Sequence, residues 1–108
     1  MAEVRKVLGQ AALSATILTD VYTVPAGKQA VISSIFVCNR SNSLTSFRIS
    51  VAVLGAADDN KQYIYYDVIA PGGDTFATTT GITLNSGDVV RAYSPSSDLT
   101  VNLYGVEL

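Results

Sequence analysis

Tyr63, Tyr65 and Tyr66 form the densest aromatic cluster of the chain. At the two-residue period of a strand, Tyr63 and Tyr65 share one face and Tyr66 takes the other. At least one ring is therefore expected in solvent, where a tyrosine anchors a protein interface or stacks on a sugar. Asp67 and Asp74 flank the next turn, and two carboxylates about 5 to 10 Å apart are all that glycosidic hydrolysis needs. Asp58-Asp59-Asn60 offers oxygen ligands to Ca²⁺. It lacks the spaced glycine and bidentate glutamate of a calcium hand, so three short polar residues between strands read as a turn. Cys38 is the single cysteine, which excludes an internal disulfide and any multi-cysteine metal site and leaves it as a small buried hydrophobe. The chain has no histidine, so neither a Ser-His-Asp nor a Cys-His mechanism can operate. The remaining acidic residues fall at turns, and no nucleophile stands beside a base. No enzyme, metal or cofactor is expected.

The elements that must carry these residues are strands. Val, Ile, Thr and Tyr recur in short runs, while the builders of exposed helices are few. Over Thr45 to Leu54, Phe47, Ile49, Val51 and Val53 alternate with Ser46, Arg48, Ser50 and Ala52, which predicts one face in the core and the other toward solvent or a partner. Leu99 to Leu108 alternates in the same way. Lys28 to Cys38 is nearly continuously apolar from Ala30, as in a central strand packed on both faces. Further strands are predicted at Val4 to Leu8, Thr16 to Val24, Lys61 to Ile69, Asp74 to Thr79 and Asp88 to Tyr93. Helix is confined to at most one turn within Gln10 to Leu18, where Ala11, Ala12 and Ala15 favour it but Thr16 and Ile17 do not.

Turns punctuate the strands at Pro25-Ala26-Gly27, Pro71-Gly72-Gly73, Asn85-Ser86-Gly87 and Ser94-Pro95-Ser96-Ser97. About eight strands at such spacing predict an all-β, antiparallel, jelly-roll-like sandwich of two four-stranded sheets. A weak echo links Tyr22 to Ile32 with Gly81 to Arg91, each reading strand, glycine turn, strand. Two units are too few for a solenoid, and a pair of similar hairpins accounts for the echo.

A chain of 108 residues fills one domain. Charged residues are 15% of it, against an average of about 25% for soluble domains, and the mean hydropathy is +0.31. Part of the outside is therefore expected to be covered by another chain. Only Arg5 and Lys6 are adjacent basic residues, so the electrostatic footprint of nucleic-acid binding is missing. No apolar run reaches the ~18 residues of a membrane span, and the start lacks the apolar region of a signal peptide. A soluble protein made in the cytoplasm is expected, and the glycosylation sequon Asn39-Arg40-Ser41 is then a chance match.

Val-Leu-Gly-Gln-Ala-Ala at 7–12, Leu-Thr-Asp-Val-Tyr-Thr-Val-Pro-Ala-Gly at 18–27, Val-Cys-Asn-Arg at 37–40 and Asp-Val-Val-Arg-Ala-Tyr at 88–93 together resemble the small β-sandwich structural proteins of tailed bacteriophages. The resemblance spans most of the chain and consists of strand-and-turn patterns. It implies a virion protein that binds other virion structural proteins, as a capsid decoration (cement) protein, often a homotrimer, or as a tail, fibre or baseplate module. The absence of a stalk repeat or coiled coil favours decoration. A different reading of the tyrosine strand is a module that stacks on host surface glycans. Residues 1–10 carry Val4, Val7 and Leu8 beside Arg5 and Lys6, with a hinge at Gly9. They are expected to act as an arm that adds a strand to a neighbour, against the alternative of an ordinary first strand. The candidate interface is thus Val4, Val7, Leu8, Tyr63, Tyr65 and Tyr66.

Overall fold

A computed structural model describes residues 3–108. Eight strands are formed: β1 (Val4–Ala12), β2 (Thr19–Thr23), β3 (Ala30–Asn39), β4 (Thr45–Ala52), β5 (Tyr63–Ala70), β6 (Thr75–Leu84), β7 (Val89–Tyr93) and β8 (Leu99–Glu107). They make two antiparallel four-stranded sheets, sheet I in the order β1-β8-β3-β6 and sheet II in the order β2-β7-β4-β5. Strand pairs 4 and 5, 3 and 6, 2 and 7, 1 and 8 are all neighbours. The chain is thus one long hairpin with β4–β5 innermost, rolled so that successive pairs alternate between sheets. That is the jelly roll.

The core lies between the sheets and is built by alternation. β8 turns Leu99, Val101 and Leu103 inward, and β4 turns Phe47 and Ile49 inward to meet them. In β3 a register shift between Ile32 and Ser34 lets Ile32 and Ile35, three residues apart, both point into the core. β3 is central in its sheet, as expected. Its outward side chains are not covered, however: Phe36 is exposed and Cys38 half-buried, which corrects the reading of a strand packed on both faces and of Cys38 as a core residue.

The expected arm is, from Val4 onward, part of the domain. β1 pairs with β8 from Val4–Glu107 to Ala12–Thr100, and Leu8 is buried in the core. Met1 and Ala2 lie outside the described residues. The strand continues to Ala12, beyond the predicted end at Leu8, and Leu13 then caps it by donating to the Leu99 carbonyl at 2.9 Å. Ladder bonds to β8 outweigh the helical preference of Ala11 and Ala12. β6 likewise runs five residues past its predicted end.

The echo is structural, but its units are corners rather than hairpins. β2 to β3 and β6 to β7 both pass between sheets, and they lie side by side because β2 pairs with β7 and β3 with β6. In each corner the backbone closes the same way: Lys28 N–H donates to Pro25 O and Asp88 N–H to Asn85 O, both at 3.1 Å. Gly27 and Gly87 supply the left-handed φ of 76° and 84° that this turn position requires. The corners are tied together through Val24, whose N–H donates to Asp88 O and whose carbonyl accepts from Gly87 N–H.

Candidate interaction surfaces

β5 does not keep the two-residue period on which its tyrosines were assigned faces. Its register against β4 shifts twice, so that Phe47 faces Val68, Ile49 faces Tyr65 and Ser50 faces Tyr63. Asp67, with φ 53°, sits in the extra length opposite Arg48. These bulges bring Tyr63 and Tyr66 together, their rings edge to face at 5.2 Å. Tyr65 turns inward to pack on Phe76 at 5.4 Å. The grouping expected from spacing is thereby reversed.

On the outer face of sheet II, Arg48 Nε donates to Asp67 Oδ1 at 2.7 Å and its guanidinium lies 4.0 Å from the Tyr66 ring centre. Tyr66 is 55% exposed. The Arg48 hydrogen bond holds the Asp67 carboxyl below the usual carboxylate range, the opposite of what a general acid needs. Burial, reinforced by the 2.8 Å hydrogen bond to Asp58 Oδ1, pushes the Tyr63 hydroxyl up. Asp59 accepts from Lys61 N–H and Asp74 Oδ1 from Thr75 N–H, so each acidic loop is engaged in its own turn. Among the described residues no group of three His, Cys, Asp or Glu could hold a metal ion.

Beside this group the face is covered in part by the chain itself, while Ile69, outward opposite Ser46, stays 55% exposed. β4 ends at Ala52 because Leu54 takes a left-handed φ of 54°, and residues 53–62 fold back along the sheet. Arg91 fixes them, its guanidinium donating to Ala56 O, Gly55 O and Asp20 Oδ1. Ser50 and Ala52, expected to face solvent or a partner, are therefore buried. Leu54 itself is 76% exposed.

Sheet I is different. Thr100, Asn102, Tyr104 and Val106 of β8 point outward, flanked by Ala12, Gln10, Val7 and Arg5 of β1 on one side and by Cys38, Phe36, Ser34 and Val31 of β3 on the other. Phe36 and Tyr104 meet edge to face at 5.5 Å in its centre. Among the described residues Arg5 is the one charged group in these three rows, and β6 adds none. Sequence reasoning missed this face, although the outward row of β8 was legible in its alternation. Of the candidate interface residues, Val7 lies on it; Val4 is exposed at the outer end of β1, while Leu8 belongs to the core. Tyr63 and Tyr66 lie on sheet II.

The sequon is closed to modification: Asn39 is 1% exposed, with its amide donating to Ser43 O and Ala70 O and its oxygen accepting from Ser41. No protein-family model matches the chain, and no curated protein sequence matches it.

Proposed function

We propose that this chain is a bacteriophage virion structural protein, a capsid decoration module that packs the outer face of sheet I on other virion subunits and works as a homotrimer within the particle. The observation that carries the reading is the unequal distribution of charge. The Arg48–Asp67 and Arg91–Asp20 ion pairs and the covering loop occupy the outer face of sheet II, whereas sheet I presents threonine, asparagine, alanine and an aromatic pair with Arg5 at one corner. A face depleted of charge with aromatics at its centre has the composition of an interface core. Four strands of about nine residues offer roughly 600 Å² in projection, of the order of the ~800 Å² that each partner gives a standard interface. The resemblance to phage β-sandwich proteins supplies the kind of partner.

Co-sedimentation with purified phage particles tests it. Wild type should pellet with particles; Phe36→Asp should stay in the supernatant with its thermal midpoint little changed; Tyr66→Ala should pellet like wild type. Binding that survives Phe36→Asp would overturn this use of sheet I. A tail, fibre or baseplate location is distinguished by which particle fraction carries the chain. The exposed Tyr66 ring keeps a second reading open, stacking on a host glycan, and a saturable change in tyrosine fluorescence on titration with host polysaccharide that Tyr66→Ala abolishes would favour it.

A further inference from the structure

The sandwich has four edge strands, and three of them are protected against pairing with another chain. β1 carries Arg5 and Lys6 and a register shift at Leu8. β2 is five residues long, carries Asp20 and is irregular at Val21. β5 carries Asp67 and two register shifts. Short length, charge and bulges are the devices that blunt a sheet edge. β6 has none of the first two: it is ten residues long, Thr-Phe-Ala-Thr-Thr-Thr-Gly-Ile-Thr-Leu, without charge or proline. Its irregularity falls at Thr80-Gly81, which leaves Thr75 to Thr79 in unbroken register with β3, from Cys38–Thr75 to Ser34–Thr79. The free side of that segment is a straight row of backbone donors and acceptors.

We infer that the β6 edge joins two copies of this chain by antiparallel strand addition about a two-fold axis at Ala77, making one continuous eight-stranded sheet from two copies of sheet I. A second copy is the occupant because of what an isologous contact demands. Each residue type meets itself or its symmetry partner, so any net charge along the edge would be repelled by its own image. The segment Thr75-Phe-Ala-Thr-Thr79 is neutral throughout. Centred on Ala77, it sets Thr75 of one copy opposite Thr79 of the other, a favoured cross-strand pair, and Ala77 opposite Ala77, where no side chain obstructs close approach. A partner of different sequence would impose no such neutrality. The contact uses the strand edge and leaves the centre of the sheet I face free, so it goes beyond packing on virion subunits and stands or falls separately. With a three-fold ring it would link trimers in pairs; without one it gives a dimer.

Sedimentation equilibrium of wild type, Ala77→Lys and Ala77→Glu tests it. Ala77 is exposed, and circular dichroism checks that each variant is folded. Each single variant should have half the wild-type mass, because like charges meet at the axis, and an equimolar mixture of the two should recover the wild-type mass. A wild-type mass of one chain, as when the edge awaits a different protein, overturns the inference. So does a mass that Ala77→Lys leaves unchanged, or a mixture of folded variants that fails to re-associate.

Discussion

Ser50 and Phe47 are three residues apart on β4 and both essentially inaccessible, Ser50 at 0% and Phe47 at 1%, yet they should respond in opposite ways to truncation. Phe47 fills the core against Phe76 at 5.2 Å, and Phe47→Ala should cost about 3 to 5 kcal/mol through lost burial and the cavity left behind. The Ser50 hydroxyl lies under residues 53–62 without a hydrogen-bond partner, so Ser50→Ala should be neutral or stabilise by up to about 1 kcal/mol. Urea unfolding of the two variants measures both; a large loss from Ser50→Ala would mean that its hydroxyl is engaged. Glu107 is the converse, a buried carboxylate with every reason to stay charged. Tyr22 of sheet II donates to its Oε2 at 2.6 Å and Lys6 to its Oε1 at 3.1 Å, tying the two sheets together. The Tyr22 hydrogen bond, more than the Lys6 ammonium, holds the Glu107 carboxyl below its usual range. Burial first and Glu107 second push the Tyr22 hydroxyl up. For Glu107 the folded state binds its proton less readily than the unfolded state, so its contribution is complete above about pH 4.3 and is lost as pH falls below that. For Tyr22 the sign reverses, and stability declines as pH rises past about 10. Glu107→Gln should lower the thermal midpoint near neutral pH and make its acid decline shallower. An acid limb identical to wild type would remove Glu107 from it.

At the scale of elements, β1 is the segment whose role the structure changes most. Charge and a glycine hinge made it look detachable, but Gly9 is present because the strand passes the backbone of β2 closely: a Cβ there would fall on the Val21 carbonyl. Together with Leu8 in the core and Lys6 on Glu107, this makes the segment a structural edge of the domain. Deleting residues 2–9 should therefore lower the thermal midpoint of the isolated domain by well over 10 °C, since a loss of several kcal/mol shifts a domain of this size by about 4 to 8 °C per kcal/mol. Differential scanning calorimetry checks this, and an unchanged midpoint would restore the arm. The two glycine corners belong to the same scale. They resemble each other because each turns the chain from one sheet to the other next to its counterpart, a demand that two unrelated hairpins would not share.

At the scale of the molecule, rolling the chain pairs distant segments. β4 and β5 are the one adjacent pair in sequence that also shares a ladder, whereas β1 with β8 unites the two ends of the described chain. Loop closure must precede most of the stabilising contacts, and such topologies fold in milliseconds to seconds rather than microseconds. Stopped-flow refolding should show a main phase in that range, and a microsecond phase carrying the full amplitude would contradict the argument.

The sequence by itself determined the class of fold, because alternation in Phe47 to Val51 and Leu99 to Leu103 and the glycine and proline turns are local signals that each strand carries within its own few residues. It also placed all eight strand starts within three residues of those observed, and Tyr65 fell inward only because the ladder slipped. Tertiary structure alone decided the rest. A bulge is a relation between two strands, so the pairing of Tyr63 with Tyr66 and the inward turn of Tyr65 could not be read from β5 alone. Burial of Ser50 depends on a loop that returns across the sheet, and the apolar outward side of β3 looks the same in sequence whether a layer covers it or not. Which edge is left without charge is a property of sheet order, and that order is set by how the long hairpin rolls, not by any one of its strands.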